Sequence, residues 1–345
     1  MLRFVNSTTE TARAGVTSAD LYRAVSLLER ADRVALACHV NPDGDALGSM
    51  LAVAQVLRAA GKDCTASFGE PFTVPHNLRF LPGLELLAEP ADFPAAPEVM
   101  VAFDAGSLDR LGGLAANAMK AEELLVVDHH ASNTGYGTAH LVDPHAAATA
   151  VLAERLIVAL GMPITHEVAL SLYVGLVTDT GSFRRATTTP AVHALAARLL
   201  ATGIQPEEVA GRLWENAPFG YLQALSGVLG RARLEPEAAR GRGLVWTTVT
   251  RADRAAYGLS YDQVEGVVDV LRGTAEAELV VVLKETDDGA WYGSTRSKGD
   301  VDVGRICTRL GGGGGPGMAG FLWRGFPAEA IGRFRDALSR ATAPL

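Results

Sequence analysis

Carboxylates and imidazoles of the kind that divalent cations take recur in four short segments of this sequence. His39, Asp43 and Asp45 lie in HVNPDGD, Asp104 in VAFDAGS, Asp128, His129 and His130 in VVDHHAS, and Asp179 in GLVTDTGS. The first three segments each follow an apolar run that reads as a buried strand, while Asp179 ends a helix-like stretch. A parallel sheet gathers the carboxyl ends of its strands at one edge, where ligands bind, so these residues can meet in a two-metal site. An Asp-rich turn between strand and helix is also an ordinary cap, and HVNPDGD alone leaves both readings open. The DHH tripeptide narrows them. With 8 histidines in 345 residues, chance placement gives well under one adjacent pair, and seldom one that follows an apolar strand and an aspartate.

The elements that must position these groups alternate in the first half of the chain. RVALAC (33–38), CTASFG (64–69), EVMVAFDA (98–105) and ELLVVDHH (123–130) read as strands. DALGSMLAVAQVLRAAG, AATAVLAERLIVALG and HEVALSLYVGLVTD read as helices. Alternating strands and helices predict an α/β domain with a doubly wound parallel sheet over 14–205. A helical connector (206–230) follows, broken by Pro206 and Pro218. A smaller α/β domain spans 231–345, with strands at GLVWTTVT, AELVVVLKET and WYGSTRSK. Helices are expected at SYDQVEGVVDVLRG, VDVGRICTRL and 327–341, and a glycine-rich loop at GGGGGPGMAGF.

Composition limits the function classes. At 48% hydrophobic residues the chain can bury a sizeable core, and its formal charge of −8 argues against a basic groove for duplex nucleic acid. Three scattered cysteines, Cys38, Cys64 and Cys307, make no disulfide framework and suit a reducing cytosol. The start, MLRFVNSTTETARAG, lacks the apolar core of a signal peptide, and no apolar stretch is long enough to span a membrane. The expectation is a cytoplasmic protein.

HVNPDGDALGS, VAFDAGS, VVDHHASN and GLVTDTGSF together resemble the four motifs of the DHH phosphoesterase superfamily, and GGGGGPGMAGF resembles the glycine-rich motif of its associated C-terminal domain. The likeness runs from about residue 20 to 340 and is nearest to the bacterial bifunctional nanoRNA and pAp phosphatases. It implies an active site in the cleft between two domains. His39, Asp43 and Asp104 would hold one manganese, and Asp45, Asp104, His129 and Asp179 the other, with Asp104 as the bridge. Four carboxylates balance two divalent cations. Such a pair would activate water for in-line attack on phosphorus. The mixed donor set suits Mn2+ better than Mg2+, with Fe2+ and Zn2+ left open. His130 is then free to act on the substrate phosphate, and Asp128 orients imidazoles by accepting their N–H groups.

In the second domain Arg296 is the best match for a further phosphate, with Ser297 and Lys298 beside it, although strand alternation lets only one side face a ligand. Gly312, Gly313, Gly314 and Gly315 would bring backbone N–H groups close to a phosphate or base. One departure stands out: the family places a histidine where this chain has Gly315, which leaves the hydrolytic centre intact and the substrate open. The resemblance implies a homodimer that hydrolyses short single-stranded RNA, dinucleotides such as pApA, or 3′-phosphoadenosine 5′-phosphate, with cyclic di-AMP a further candidate. Two alternatives are a family II inorganic pyrophosphatase and a nucleotide-binding protein impaired in catalysis. Against the first, this chain has Thr295-Arg296-Ser297-Lys298-Gly299 in place of a compact basic cluster.

Overall fold

The computed structural model describes residues 15–341, and among them the chain divides into two compact units, with the boundary along the chain between Leu213 and Trp214. The expected domain start at residue 14, all but the last residue of the segment read for a leader (1–15) and the last residues (342–345) lie outside the described residues. No described helix is long and apolar enough to cross a membrane.

The first unit holds five strands: β1 (Arg33–Cys38), β2 (Asp63–Phe68), β3 (Val99–Phe103), β4 (Glu123–Asp128) and β5 (Ala139–Val142). They are all parallel, in the order β2-β1-β3-β4-β5. The helices are α1 (Ser18–Arg30), α2 (Gly44–Ala59), α3 (Ala115–Ala118), α4 (Thr149–Ala159), α5 (His166–Asp179), α6 (Pro190–Leu200) and α7 (Pro206–Trp214). Successive strand residues point to opposite faces. Val34, Leu36, Val101, Phe103, Leu125 and Val127 join the core formed by α1, α2, α4, α5 and α6. Ala35, Ala37, Met100, Ala102, Leu124 and Val126 face the other way, onto Leu111, Leu114 and Ala118. Both faces are covered, as a doubly wound sheet requires. α2 is buried almost all round, and α5 lies directly on it. Gly48 permits this approach, because a β-carbon there would meet Ser171 O at 2.3 Å.

The second unit contains α8 (Phe219–Gly230), β6 (Arg233–Glu235), a distorted turn α9 (Ala238–Gly241), β7 (Leu244–Val249), α10 (Arg251–Ala255), α11 (Val267–Arg272), β8 (Leu279–Glu285), β9 (Trp291–Ser297), α12 (Val303–Arg309), β10 (Gly313–Gly315), β11 (Met318–Trp323) and α13 (Pro327–Ala341). Its sheet runs β10-β11-β9-β8-β7-β6, with β7 and β8 parallel and the other pairs antiparallel. Leu279, Val281 and Leu283 pack with Ile306 and Phe334, while Val280 and Val282 pack with Val228, Val267 and Leu271.

Elements that the sequence expectation did not name include α1, β6, α10 and β11, and three further differences follow. β5 was not anticipated. The helix expected over SYDQVEGVVDVLRG is a 3-10 turn (Asp262–Val264) followed by the short α11, split near Gly266, where Tyr221 Oη stands 3.3 Å from the place of a β-carbon. The glycine run is also not simply a loop. Gly313–Gly315 forms the edge strand β10 in a hairpin with β11.

Candidate metal centre

His39 and Asp43 follow β1, Asp104 follows β3, and Asp128 ends β4 with His129 and His130 just beyond, all at the carboxyl edge of the sheet. β1 and β3 are neighbours although consecutive in neither chain order nor direction of winding, and this reversal is where such sheets bind ligands. Asp45 lies in the first turn of α2 and Asp179 closes α5, so the contact between these two helices carries both to the same edge.

The donor atoms fall into three groups that are linked through Asp104 and His129. Within each of His39–Asp43–Asp104, Asp45–His129–Asp179 and Asp104–His129–His130, one donor atom per side chain lies within 4.8 Å of the others. Asp104 Oδ2 is 3.5 Å from His39 Nε2, and its Oδ1 is 3.6 Å from His129 Nε2. Its two oxygens thus face different groups. His129 Nε2 is also 3.5 Å from Asp179 Oδ2 and 4.0 Å from Asp45 Oδ2, and His39 Nε2 is 3.9 Å from Asp43 Oδ1. These spacings approach the roughly 3.0–3.5 Å between neighbouring ligands of a cation that binds at about 2.1 Å.

The surroundings aim these donors. His39 Nδ1 bonds Val40 O at 2.9 Å and His129 Nδ1 bonds Ala146 O at 3.2 Å, so both rings turn Nε2 toward the carboxylates. Asp128 is wholly buried. It accepts from His130 Nδ1 at 2.7 Å and from Asn133 Nδ2 at 2.6 Å, so it orients one imidazole and not the pair. Asp43 is a helix cap as well as a member of its group, because its Oδ1 accepts from the N–H groups of Asp45 and Ala46 at 3.0 Å each. Asp104 takes a left-handed backbone conformation (φ 55°), which short polar side chains tolerate best.

Electrostatics favour a cation here. Burial first, then the charges of Asp104, Asp179 and Asp43, push the Asp45 carboxyl well above the usual range. Burial also raises Asp179, although His129 and Arg185 oppose it. For Asp104 burial acts upward, yet His39, His130 and His129 outweigh it and hold the carboxyl well below the usual range. Burial works against charge on His130, but its hydrogen bond to Asp128 and the nearby Asp104 lift it to about 9. Clustered buried carboxylates that disfavour one another's ionisation, mixed with imidazoles turned inward, suit divalent cations bound by N and O donors.

Two contributors escaped the sequence reading. Thr149 Oγ1 donates to Asp104 Oδ1 at 2.7 Å, and the N–H groups of Thr149 and Ala150 donate to Asp45 Oδ2 and Oδ1 at 2.6 and 2.9 Å. Arg185 Nη1 donates to Asp179 Oδ1 at 3.1 Å. The run AAATA, which leads into α4, offered no chemical signal for the first. Arg185 lies six residues beyond Asp179, within reach of the helix end, which could have flagged it.

The residues expected to hold substrate in the second unit separate. Arg296 is partly buried on the α11 side of the sheet, with Nη1 donating to Thr295 O at 3.0 Å and Nε 3.8 Å from Asp269 Oδ1. Ser297 points to the opposite face and meets Glu278 Oε1 at 3.4 Å, while Lys298 Nζ bonds Thr274 O. The glycines divide as well. A β-carbon at Gly313 would meet nothing within 4 Å, and one at Gly315 only Met318 O at 3.9 Å. At Gly312 it would stand 2.1 Å from Gly320 O, and at Gly314 2.5 Å from Ala319 Cα.

Comparison with known proteins agrees with this layout. A family model described as the DHH family, N-terminal domain, matches residues 33–176, and one described as the DHHA1 domain matches residues 248–343. The bifunctional oligoribonuclease and PAP phosphatase NrnA of Thermus thermophilus is 34% identical over 311 residues, covering 89% of this chain and 90% of its own length. The solved structure of an exopolyphosphatase-related protein from Bacteroides fragilis shares the fold with a TM-score of 0.85 at 22% identity, over 97% of this chain and 98% of that one. RecJ from Thermus thermophilus in complex with Mn2+ is a more distant relative in fold, with a TM-score of 0.54 at 17% identity, over 95% of this chain and 56% of that one. The chain belongs to the DHH family: the DHH match holds every residue of the candidate centre except Asp179, which stands three residues beyond it, and a DHHA1 domain follows.

Proposed function

We propose that this chain is a divalent-metal-dependent phosphoesterase that hydrolyses short oligoribonucleotides, including dinucleotides such as pApA, and 3′-phosphoadenosine 5′-phosphate. The observation that carries this reading is the division of Asp104, one oxygen toward His39 and the other toward His129, between two groups of donors. In this assignment His39, Asp43 and Asp104 hold one cation, and Asp45, Asp104, His129 and Asp179 the other. Mn2+ is the preferred occupant on donor type, and the Mn2+ complex of RecJ supports that choice. Bound there, the cations would supply Lewis-acid activation of a phosphoryl group and a nucleophile from water at neutral pH.

The protein's own groups do the rest. His130 keeps Nδ1 on Asp128, which leaves Nε2 for a phosphoryl oxygen or the departing oxygen of the substrate. Its side chain is 32% exposed, against 6% for His39, so it is the imidazole that a substrate can reach. Arg296 and the open positions Gly313 and Gly315 are assigned to the non-reacting part of the nucleotide, since guanidinium suits phosphate and a glycine lets a ligand come close to the backbone. The relationship to NrnA supports the substrate class.

A substrate panel with Mn2+ tests the proposal. Purified protein should release mononucleotide from pApA and phosphate from pAp, with little action on a long single strand, and Asp104→Ala should abolish each activity. Faster release of phosphate from pyrophosphate than from pAp or pApA would sink it.

A further inference from the structure

Every donor group in the proposed centre comes from a strand end or from α2 and α5, yet the atoms that hold two of its carboxylates in place belong to α4. The residue before that helix, Ala148, has no side chain able to cap it. The N–H groups of Thr149 and Ala150 turn instead to Asp45, more than a hundred residues earlier, at 2.6 and 2.9 Å. A carboxylate is favoured at a helix N-terminus by the unpaired N–H groups and the helix dipole. Ser49 Oγ adds a weaker contact to Asp45 Oδ1 at 3.3 Å. Asp45, Thr149 and Ala150 are all fully or almost fully buried, so water does not compete for these bonds.

Thr149 does a second thing. Its Oγ1 donates to Asp104 Oδ1 at 2.7 Å, on the carboxylate whose Oδ2 faces His39. A carboxylate turns freely about its last bond unless its oxygens are held, and each oxygen has two lone-pair directions. A hydroxyl on one direction of Oδ1 leaves the other for a cation and fixes where Oδ2 points. A β-branched residue at the start of a helix has few rotamers, so the hydroxyl is already placed.

We infer that Thr149 is a positioning residue of the metal centre, setting the rotation of Asp104 so that its two oxygens serve two cations. The inference rests on the two-cation reading given above. In this reading Thr149 is not itself a ligand. Its effect is exerted through Asp104 and, by the same helix start, through Asp45.

The test uses the full-length protein and Mn2+ alone as probe, with free Mn2+ counted by electron paramagnetic resonance. Thr149→Val keeps the shape and removes the hydroxyl. Thr149→Ala and Thr149→Ser form a second pair that differs by one oxygen and keeps the comparison open should the valine variant fail to fold. Metal-free circular dichroism and melting are recorded for each. Val and Ala should bind Mn2+ roughly ten- to a hundredfold more weakly, with a matching fall in kcat on pApA at fixed Mn2+. Ser should restore both, while the metal-free melting temperature of Ala and Ser stays alike. Wild type that binds Mn2+ while Ala and Ser bind it equally well overturns the role of Thr149 alone. Wild type that binds no Mn2+ overturns the two-cation reading and the inference with it.

Discussion

A β-carbon at Gly175 would stand 2.9 Å from Asp45 Oδ1 and 2.9 Å from Ala150 Cβ. Gly175 on α5, Asp45 on α2 and the start of α4 therefore share a space that admits no additional methyl group. Gly175→Ala should cost about 1–3 kcal/mol of stability, read as a lower denaturant midpoint, and weaken Mn2+ uptake by displacing Asp45. Gly211 on α7 has nothing within 4 Å of the same construction, so Gly211→Ala is expected to be neutral or to stabilise by about 0.5–1 kcal/mol. Equal effects of the two substitutions would contradict the close-packing argument.

Asp104→Asn retains size and removes charge from the residue that the proposed assignment shares between both cations. Activity on every substrate should fall by about a thousandfold or more, equivalent to roughly 4 kcal/mol of barrier. Mn2+ should also cease to raise the melting temperature, because ligand binding stabilises only in proportion to its affinity for the folded state. A variant that still gains stability from Mn2+ like the wild type would remove Asp104 from the centre.

The glycine hairpin offers a contrast within four residues. Gly315→His restores the residue type of the family motif at a position with open space around it, so the variant should fold normally and change the ratio of rates on pAp and pApA. Gly314→Ala meets Ala319 and Met318 of β11 and requires a side chain at φ 138°, so it should lower the melting temperature. Thermal melts and the substrate panel on both variants check this. An undiminished Gly314→Ala would show that the strand can shift freely.

Lys284 is 1% exposed in the second unit, paired with Glu265 and flanked by the rings of Tyr261 and Tyr292 at 5.2 and 5.6 Å. Removing Glu265 strands a buried ammonium, so Glu265→Gln should cost about 3 kcal/mol, whereas Lys284→Met should be neutral or stabilising. Burial lowers the pKa of Lys284 from 10.5. Between its folded value and 10.5 the unfolded chain binds more protons, so this group makes stability rise with pH. That alkaline gain should vanish in Lys284→Met, and its persistence there would assign it to another residue.

Much of this was legible because the first domain writes its elements in strong contrast. RVALAC, VMVAF and ELLVVD are uninterrupted apolar runs with an ionisable residue at or just beyond their end, so both the strands and the metal-type donors stood out. β5 did not, because AHLV is four residues long and contains a histidine. The role of Thr149 was hidden for a different reason: its partners, Asp45 and Asp104, are 104 and 45 residues away, and a threonine among alanines carries no signature. The glycine run was read as a loop because residues without side chains show no alternation. Only the folded backbone reveals that Gly312 and Gly314 face a neighbouring strand while Gly313 and Gly315 face open space. Local sequence likewise could not say that Lys298 would turn back to Thr274.

Asp104 answers two demands at a single codon. Its φ of 55° excludes most residues with a branched or long side chain, and its place between the donor groups excludes those without a carboxylate. Asparagine or glycine would satisfy the torsion and lose the charge; glutamate would keep the charge and overreach from a less comfortable backbone. Under the proposed assignment, substitution at this position has no gradual route, because one side chain would have to satisfy the torsion and the coordination at once.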